Sequence, residues 1–163
     1  MSTLIAIAIT TGILSGLWGW VAVSLGLLSW AGFLGCTTYF ASPTDGIKGI
    51  GLSIATNLSG VFWAMVIIKL SSMINLEIIG YVITAIVAFF MCAQAKKSWL
   101  SFIPGTFIGS CATFASNGNW QLVIPSLVLG VVFAYVMKTS GLWLKEKLDT
   151  EKCSKSGLVN ADK

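Results

Sequence analysis

No charged side chain occurs before Asp45. Written as one helix at about 1.5 Å per residue, the preceding stretch would run to roughly 65 Å, about twice the hydrocarbon thickness of a bilayer. It must therefore cross and turn back. The remainder is of the same kind: 56% of the 163 residues are apolar and 10% charged, against roughly 25% charged in soluble domains, and the mean hydropathy is +0.87. A soluble domain of this length needs polar side chains to cover one core. This chain lacks them, and its solvent is lipid.

Composition removes several chemistries. Histidine and arginine are absent and all ten basic residues are lysine. There is then no imidazole for a proton relay or metal ligand, and no guanidinium fork for carboxylate or phosphate. Cys36, Cys92, Cys111 and Cys153 form no CxxC pair, and three lie in apolar runs, so they read as buried small hydrophobes. Acidic residues fall in loops and the tail, so no acid and base pair up at membrane depth. No enzyme activity, cofactor or metal site is expected. The net charge of +4 resides at span ends and in the tail, which fits membrane orientation rather than nucleic acid.

Six candidate spans follow from apolar runs: 3–20, 25–41, 49–68, 78–92, 99–115 and 122–137. They are broken by Ser-Pro-Thr-Asp-Gly at 42–46, the stretch around Asn75, Lys96 with Lys97, and the loop 116–121. If all six cross from an inner N-terminus, Lys48, Lys96, Lys97, Lys138 and the tail lysines lie inside and Lys69 outside, as the positive-inside bias requires. Both termini are then cytoplasmic. Re-entrant runs at 25–41 and 99–115 would move Lys48, Lys96 and Lys97 outside and erode that bias. Trp18, Trp20, Trp99, Trp120 and Trp143 fall at span ends, where an aromatic belt is expected. Residues 1–144 form the membrane domain, and the charged tail 145–163 is expected to leave an interfacial helical turn for disorder.

Displacing the chain by 74 residues sets FLGCTTYFAS (33–42) on FIGSCATFAS (107–116) with five identities, Phe33 on Phe107 and Gly35 on Gly109 among them. The same offset sets Ile9-Thr10 on Ile83-Thr84. After a loop four residues shorter, Gly60, Val61 and Ala64 meet Gly130, Val131 and Ala134. Repeat 1 covers about 1–72 and repeat 2 about 75–144. Three spans in each copy make the second enter from the opposite side, so the fold class is an all-α polytopic membrane protein of six transmembrane helices in a 3+3 inverted repeat. Of each matched pair of turns, the lysine-bearing one falls on the cytoplasmic side.

The matched decapeptides are rich in Gly, Ser and Thr, which allows close helix packing and sets hydroxyls at depth. Pro104 and Gly105 precede the second and would break a helix there, freeing carbonyls toward a cavity. Close packing, including the GxxxG spacing of Gly105 and Gly109, is the alternative. Asn57 must hydrogen-bond a neighbouring helix or face a solute path. Its repeat counterpart lies near Leu127, so either role is asymmetric. Candidate pore-lining or solute-contacting residues are Phe33, Thr37, Thr38, Asn57, Phe107, Ser110 and Thr113.

The run 9–33 (ITTGILSGLWGWVAVSLGLLSWAGF), with PGTFIG at 104–109 and GLWL at 141–144, closely resembles the YcdZ-like inner-membrane proteins of bacteria. The likeness covers the membrane region and fades after Lys145. It implies a multi-pass protein of the bacterial inner membrane in a family of unknown function, and it carries over no site residues.

Two functions are open. One is a channel or facilitator for a small neutral solute; the absence of charge from span centres disfavours proton coupling. The other is a non-transporting scaffold or accessory subunit whose small-residue faces pack with itself or a partner. Six short helices barely enclose a pore, so a homo-oligomer is expected either way, with the lipid bilayer as the surrounding partner. A dry, side-chain-filled centre points to the scaffold and a polar cavity at Phe33 and Phe107 to transport.

Overall fold

The computed structural model describes the backbone of residues 2–73 and 77–161 and the side chains of residues 2–73, 78 and 80–150. The break expected around Asn75 and the side chain of Cys153 lie outside them. The described residues form α1 (Thr3–Ser24), α2 (Ser29–Phe40), α3 (Gly46–Met73), α4 (Glu77–Ala93), two 3-10 turns (Gln94–Lys96 and Ser98–Leu100), α5 (Ile103–Ala115) and α6 (Trp120–Ala161).

Each expected span contains a helix, but the lengths differ. Three helices are long and apolar enough to cross a membrane: α1, α3 and the Trp120–Thr150 portion of α6. α2 has 12 residues and α5 has 13, about 18–20 Å of helix against a hydrocarbon core of about 30 Å. Local chemistry explains the shortening. Gly26 takes φ +64° and turns the chain after α1, so residues 25–28 belong to the turn. Residues 98–100 coil into a 3-10 turn, and α5 begins only at Ile103.

Pro104 does not break a helix. It stands in the first turn of α5, where a proline removes an N–H that has no intrahelical acceptor. α6, in turn, does not stop near Met137 and continues through the charged segment. Leu, Lys and Glu are good helix formers, Lys145 Nζ lies 3.9 Å from Asp149 Oδ2 one turn on, and Lys147 Nζ sits 5.2 Å from the Trp143 ring centre.

α1 and α2 pack on α6, α4 and α5 pack on α3, and across the middle α3 meets α6 and α2 meets α5. Between α2 and α6 the core is Cys36, Tyr39, Val131, Ala134 and Met137. A second cluster joins Val61 and Ala112 to Val123 and Leu127, and a third joins Ile67 to Val87 and Met91. Leu4, Ile13, Val23, Phe62, Ile78, Tyr81 and Phe89 point outward, an apolar exterior suited to acyl chains.

Two expectations about side chains change. Trp18 is not in an interfacial belt but wholly buried, edge-on to Phe133 at 5.2 Å between ring centres, with Nε1 donating to the Ser29 carbonyl at 3.0 Å. Gly32 opposite leaves room for the indole: a Cβ there would fall 1.9 Å from Trp18 Cζ2. Trp20, Trp99, Trp120 and Trp143 are exposed. Of the cysteines, Cys36 is buried while Cys92 and Cys111 face outward, which in lipid leaves a small hydrophobe equally well solvated.

Candidate functional site

The polar interior collects where α5 crosses α3. On α3, Gly49, Ser53, Thr56, Asn57, Gly60, Val61, Ala64 and Ile67 are buried, a helical face made mostly of small side chains. Small residues let backbones approach, and here they touch. A Cβ at Gly60 would fall 1.9 Å from the Thr106 carbonyl oxygen, one at Gly109 would fall 2.0 Å from that of Asn57, and one at Gly105 would fall 2.3 Å from Thr56 Oγ1.

Polar atoms shut into this crossing pair with one another. Thr38 Oγ1, from α2, donates to Asn57 Oδ1 at 3.0 Å and stands 3.0 Å from its own turn's Leu34 carbonyl. Gln94, just past α4, is a hub. Its Oε1 accepts from Ser59 Oγ at 2.7 Å and from Trp63 Nε1 at 3.0 Å, and its Nε2 donates to Thr106 Oγ1 at 3.2 Å. One amide therefore ties α3 and α5 to the end of α4. Asn57 Nδ2 and Ser53 Oγ are buried with no hydrogen-bond partner among the described residues.

The α2–α6 crossing has the same backbone closeness. A Cβ at Gly130 would fall 2.0 Å from the Gly32 carbonyl oxygen, and one at Gly35 would fall 2.3 Å from that of Leu127. Ser126 Oγ accepts from the Leu28 N–H at 3.0 Å, and Cys36 Sγ donates to the Gly130 carbonyl at 3.1 Å. Farther along, Thr10 Oγ1 donates to the Met137 carbonyl at 2.9 Å. Lys138 pairs with Asp45 and lies 6.0 Å from the centre of the Tyr39 ring, whose hydroxyl accepts from Gly46 N–H.

The candidate residues divide. Thr38, Asn57, Ser110 and Thr113 are buried between helices, and Thr113 spends its proton on the Gly109 carbonyl at 2.9 Å. Phe33, Thr37 and Phe107 lie on the outer surface, the two rings 43% and 41% exposed. Two grooves, of about 350 and 550 Å³, flank the outer face of α3 and share Leu58 and Phe62; none of the seven candidates lines either. Gln94, Ser53, Thr106 and Ser126 were missed by sequence reasoning. Gln94 carried a signal, an amide at the end of an apolar run two residues before the lysine pair. The chemistry assembled here is hydroxyl, amide and carbonyl, suited to hydrogen bonding without proton transfer.

Residues 8–142 match the family described as "Protein of unknown function (DUF1097)". The chain is 70% identical to the inner membrane protein YcdZ of Escherichia coli K12 over 145 residues, 88% of this chain and 89% of that protein. It is 65% identical to the inner membrane protein YcdZ of Salmonella typhimurium LT2 over 148 residues, 90% and 92% of the two chains. To the uncharacterized protein YahC of Escherichia coli K12 it is 31% identical over 158 residues, 90% of this chain and 95% of that one. No solved structure matches.

Proposed function

The chain belongs to the family of proteins of unknown function DUF1097, and on that premise we propose that it is a non-transporting, non-enzymatic subunit of the bacterial inner membrane that associates with a second copy through α1. The names of the YcdZ relatives support the location. The observation that carries the association is a contrast among glycines. Gly32, Gly35, Gly60, Gly105, Gly109, Gly130 and Gly141 each press on a neighbouring element, whereas a Cβ at Gly12, Gly16 or Gly19 would meet nothing within 4 Å. Gly12 and Gly16 stand in GxxxG spacing on α1, whose apolar window is 11% buried. That is the surface on which two transmembrane helices approach closely.

The same reading includes the 3+3 inverted repeat with both termini cytoplasmic. Its support is reciprocal. Gly35 meets the Leu127 carbonyl as Gly109 meets that of Asn57, and Gly130 meets Gly32 as Gly60 meets Thr106. These are the pairs that the two offsets in the sequence bring into register. Lys138 and Asp45 then share the inner level.

Dimerisation is measured by single-molecule photobleaching in liposomes over a range of protein-to-lipid ratios. The wild type should show two copies per spot and Gly12→Leu with Gly16→Leu one, with unchanged thermal unfolding in micelles. Monomeric wild type at every ratio overturns the association. A facilitator for a small neutral solute is the second reading, favoured by the buried Asn57 Nδ2 and Ser53 Oγ, which have no hydrogen-bond partner among the described residues. Proteoliposomes should pass no urea, glycerol or water above empty vesicles; flux that is lost in Asn57→Leu would put the second reading first.

A further inference from the structure

Several buried hydroxyls on these helices hand their proton to the backbone one turn back. Thr56 donates to the Leu52 carbonyl, Thr113 to Gly109 and Ser126 to Leu122, at 2.7–2.9 Å. Ser53 does otherwise. It is 0% exposed, yet its Oγ has no partner among the described residues. One turn on, Asn57 is 1% exposed and its Nδ2 is equally unpartnered. Exchanging the two amide atoms of Asn57 does not remove the difficulty: Nδ2 would then serve Thr38, and Oδ1 would be the atom left over.

Buried polar groups in native proteins are paired with protein or with ordered water, because an unpaired one keeps its full desolvation penalty. Residues four apart share a helix face with Cβ atoms about 5–6 Å apart. Ser53 and Asn57 do not bond each other, so each keeps an open hydrogen-bonding position on one helix face. Their neighbours on this face, Gly49, Thr56 and Gly60, have small side chains, with the Thr44 and Thr106 carbonyls closing over the two glycines.

We propose that Ser53 and Asn57 form the walls of an internal water site on α3. The water accepts from the Asn57 amide and exchanges one hydrogen bond with Ser53 Oγ, so that a polar line runs from Thr38 on α2 through Asn57 and the water to Ser53. The site needs neither a transported solute nor a second copy of the chain, and it stands apart from the association through α1.

Two measurements on the full chain decide it. A crystal structure at a resolution that shows ordered water should contain a density peak within hydrogen-bond distance of both Ser53 Oγ and the Asn57 amide. Absence of the peak, or direct bonding of the two side chains to each other or to backbone, overturns the site. The thermal midpoint in micelles gives a sign. Deleting a hydroxyl that holds a water, in Ser53→Ala, should lower the midpoint by about 2–4 °C, whereas deleting an uncompensated hydroxyl raises it. A raised midpoint overturns the proposal; if Ser53→Ala does not fold, the density in the wild type decides alone.

Discussion

At two places in this protein a short helix lies across a long one, α2 on α6 and α5 on α3, and the space beside each crossing is filled by opposite chemistry. Beside Gly32 the filler is the Trp18 indole, apolar except for one N–H that finds the Ser29 carbonyl. Beside Thr106 it is the Gln94 amide, bonded to Ser59, Trp63 and Thr106. Small residues permit the backbone contact in both. What they leave open at the side is closed by any group whose polar atoms can be satisfied, and that freedom leaves one crossing mainly apolar, with Ser126 as its buried hydroxyl, while the other gathers a polar interior of Ser53, Thr56, Asn57 and Thr106.

The contrast can be broken most directly at the fillers and the crossings. Trp18→Ala should have the largest effect, about 3 kcal/mol of stability in unfolding from mixed micelles, because truncating a buried indole leaves a void that its surroundings fill incompletely. A loss within a few tenths of a kcal/mol would mean that the indole is an occupant and not a seal. Gly60→Ala and Gly130→Ala probe the crossings themselves. Their Cβ atoms would fall 1.9 and 2.0 Å from carbonyl oxygens of Thr106 and Gly32, and each should cost about 1–3 kcal/mol, alike in the two places. Clearly unequal losses would end the equivalence of the two crossings.

Smaller effects sharpen the picture. Gln94→Leu keeps the volume and strands the donors on Ser59 and Trp63, so it should cost about 1–2 kcal/mol and make the Trp63 fluorescence report a less polar setting. The Asp45–Lys138 pair comes last. Asp45 is 70% exposed, and Asp45→Asn should shift stability by less than about 1 kcal/mol, an effect that shrinks further in high salt.

Much of the helix order was legible from the chain because turns must carry what lipid rejects. Asp45, Gly46, Lys96 and Lys97 mark ends on elementary grounds, and the matched glycines Gly35 and Gly109 both lie at close crossings. Which way a side chain faces was far less legible. In a soluble helix the polar stripe shows the outside; in lipid the outside is as apolar as the core, so Phe33 and Phe107 read equally well as lining or as exterior, and they prove to be exterior. Trp18 illustrates the same loss of information, since an indole near a span end suits an interfacial belt or a packed interior. Ser53 and Gln94 escaped notice because a single hydroxyl or amide acquires its importance from partners on other helices.

The brevity of α2 and α5 also acts on the membrane itself. With 12 and 13 residues, each falls short of the hydrocarbon thickness by about 10–12 Å. If both cross the bilayer, acyl chains alongside them would shorten, tilt or yield to headgroups, at fractions of a kcal/mol per Å of mismatch, and lipids of shorter chain length would then suit the protein better.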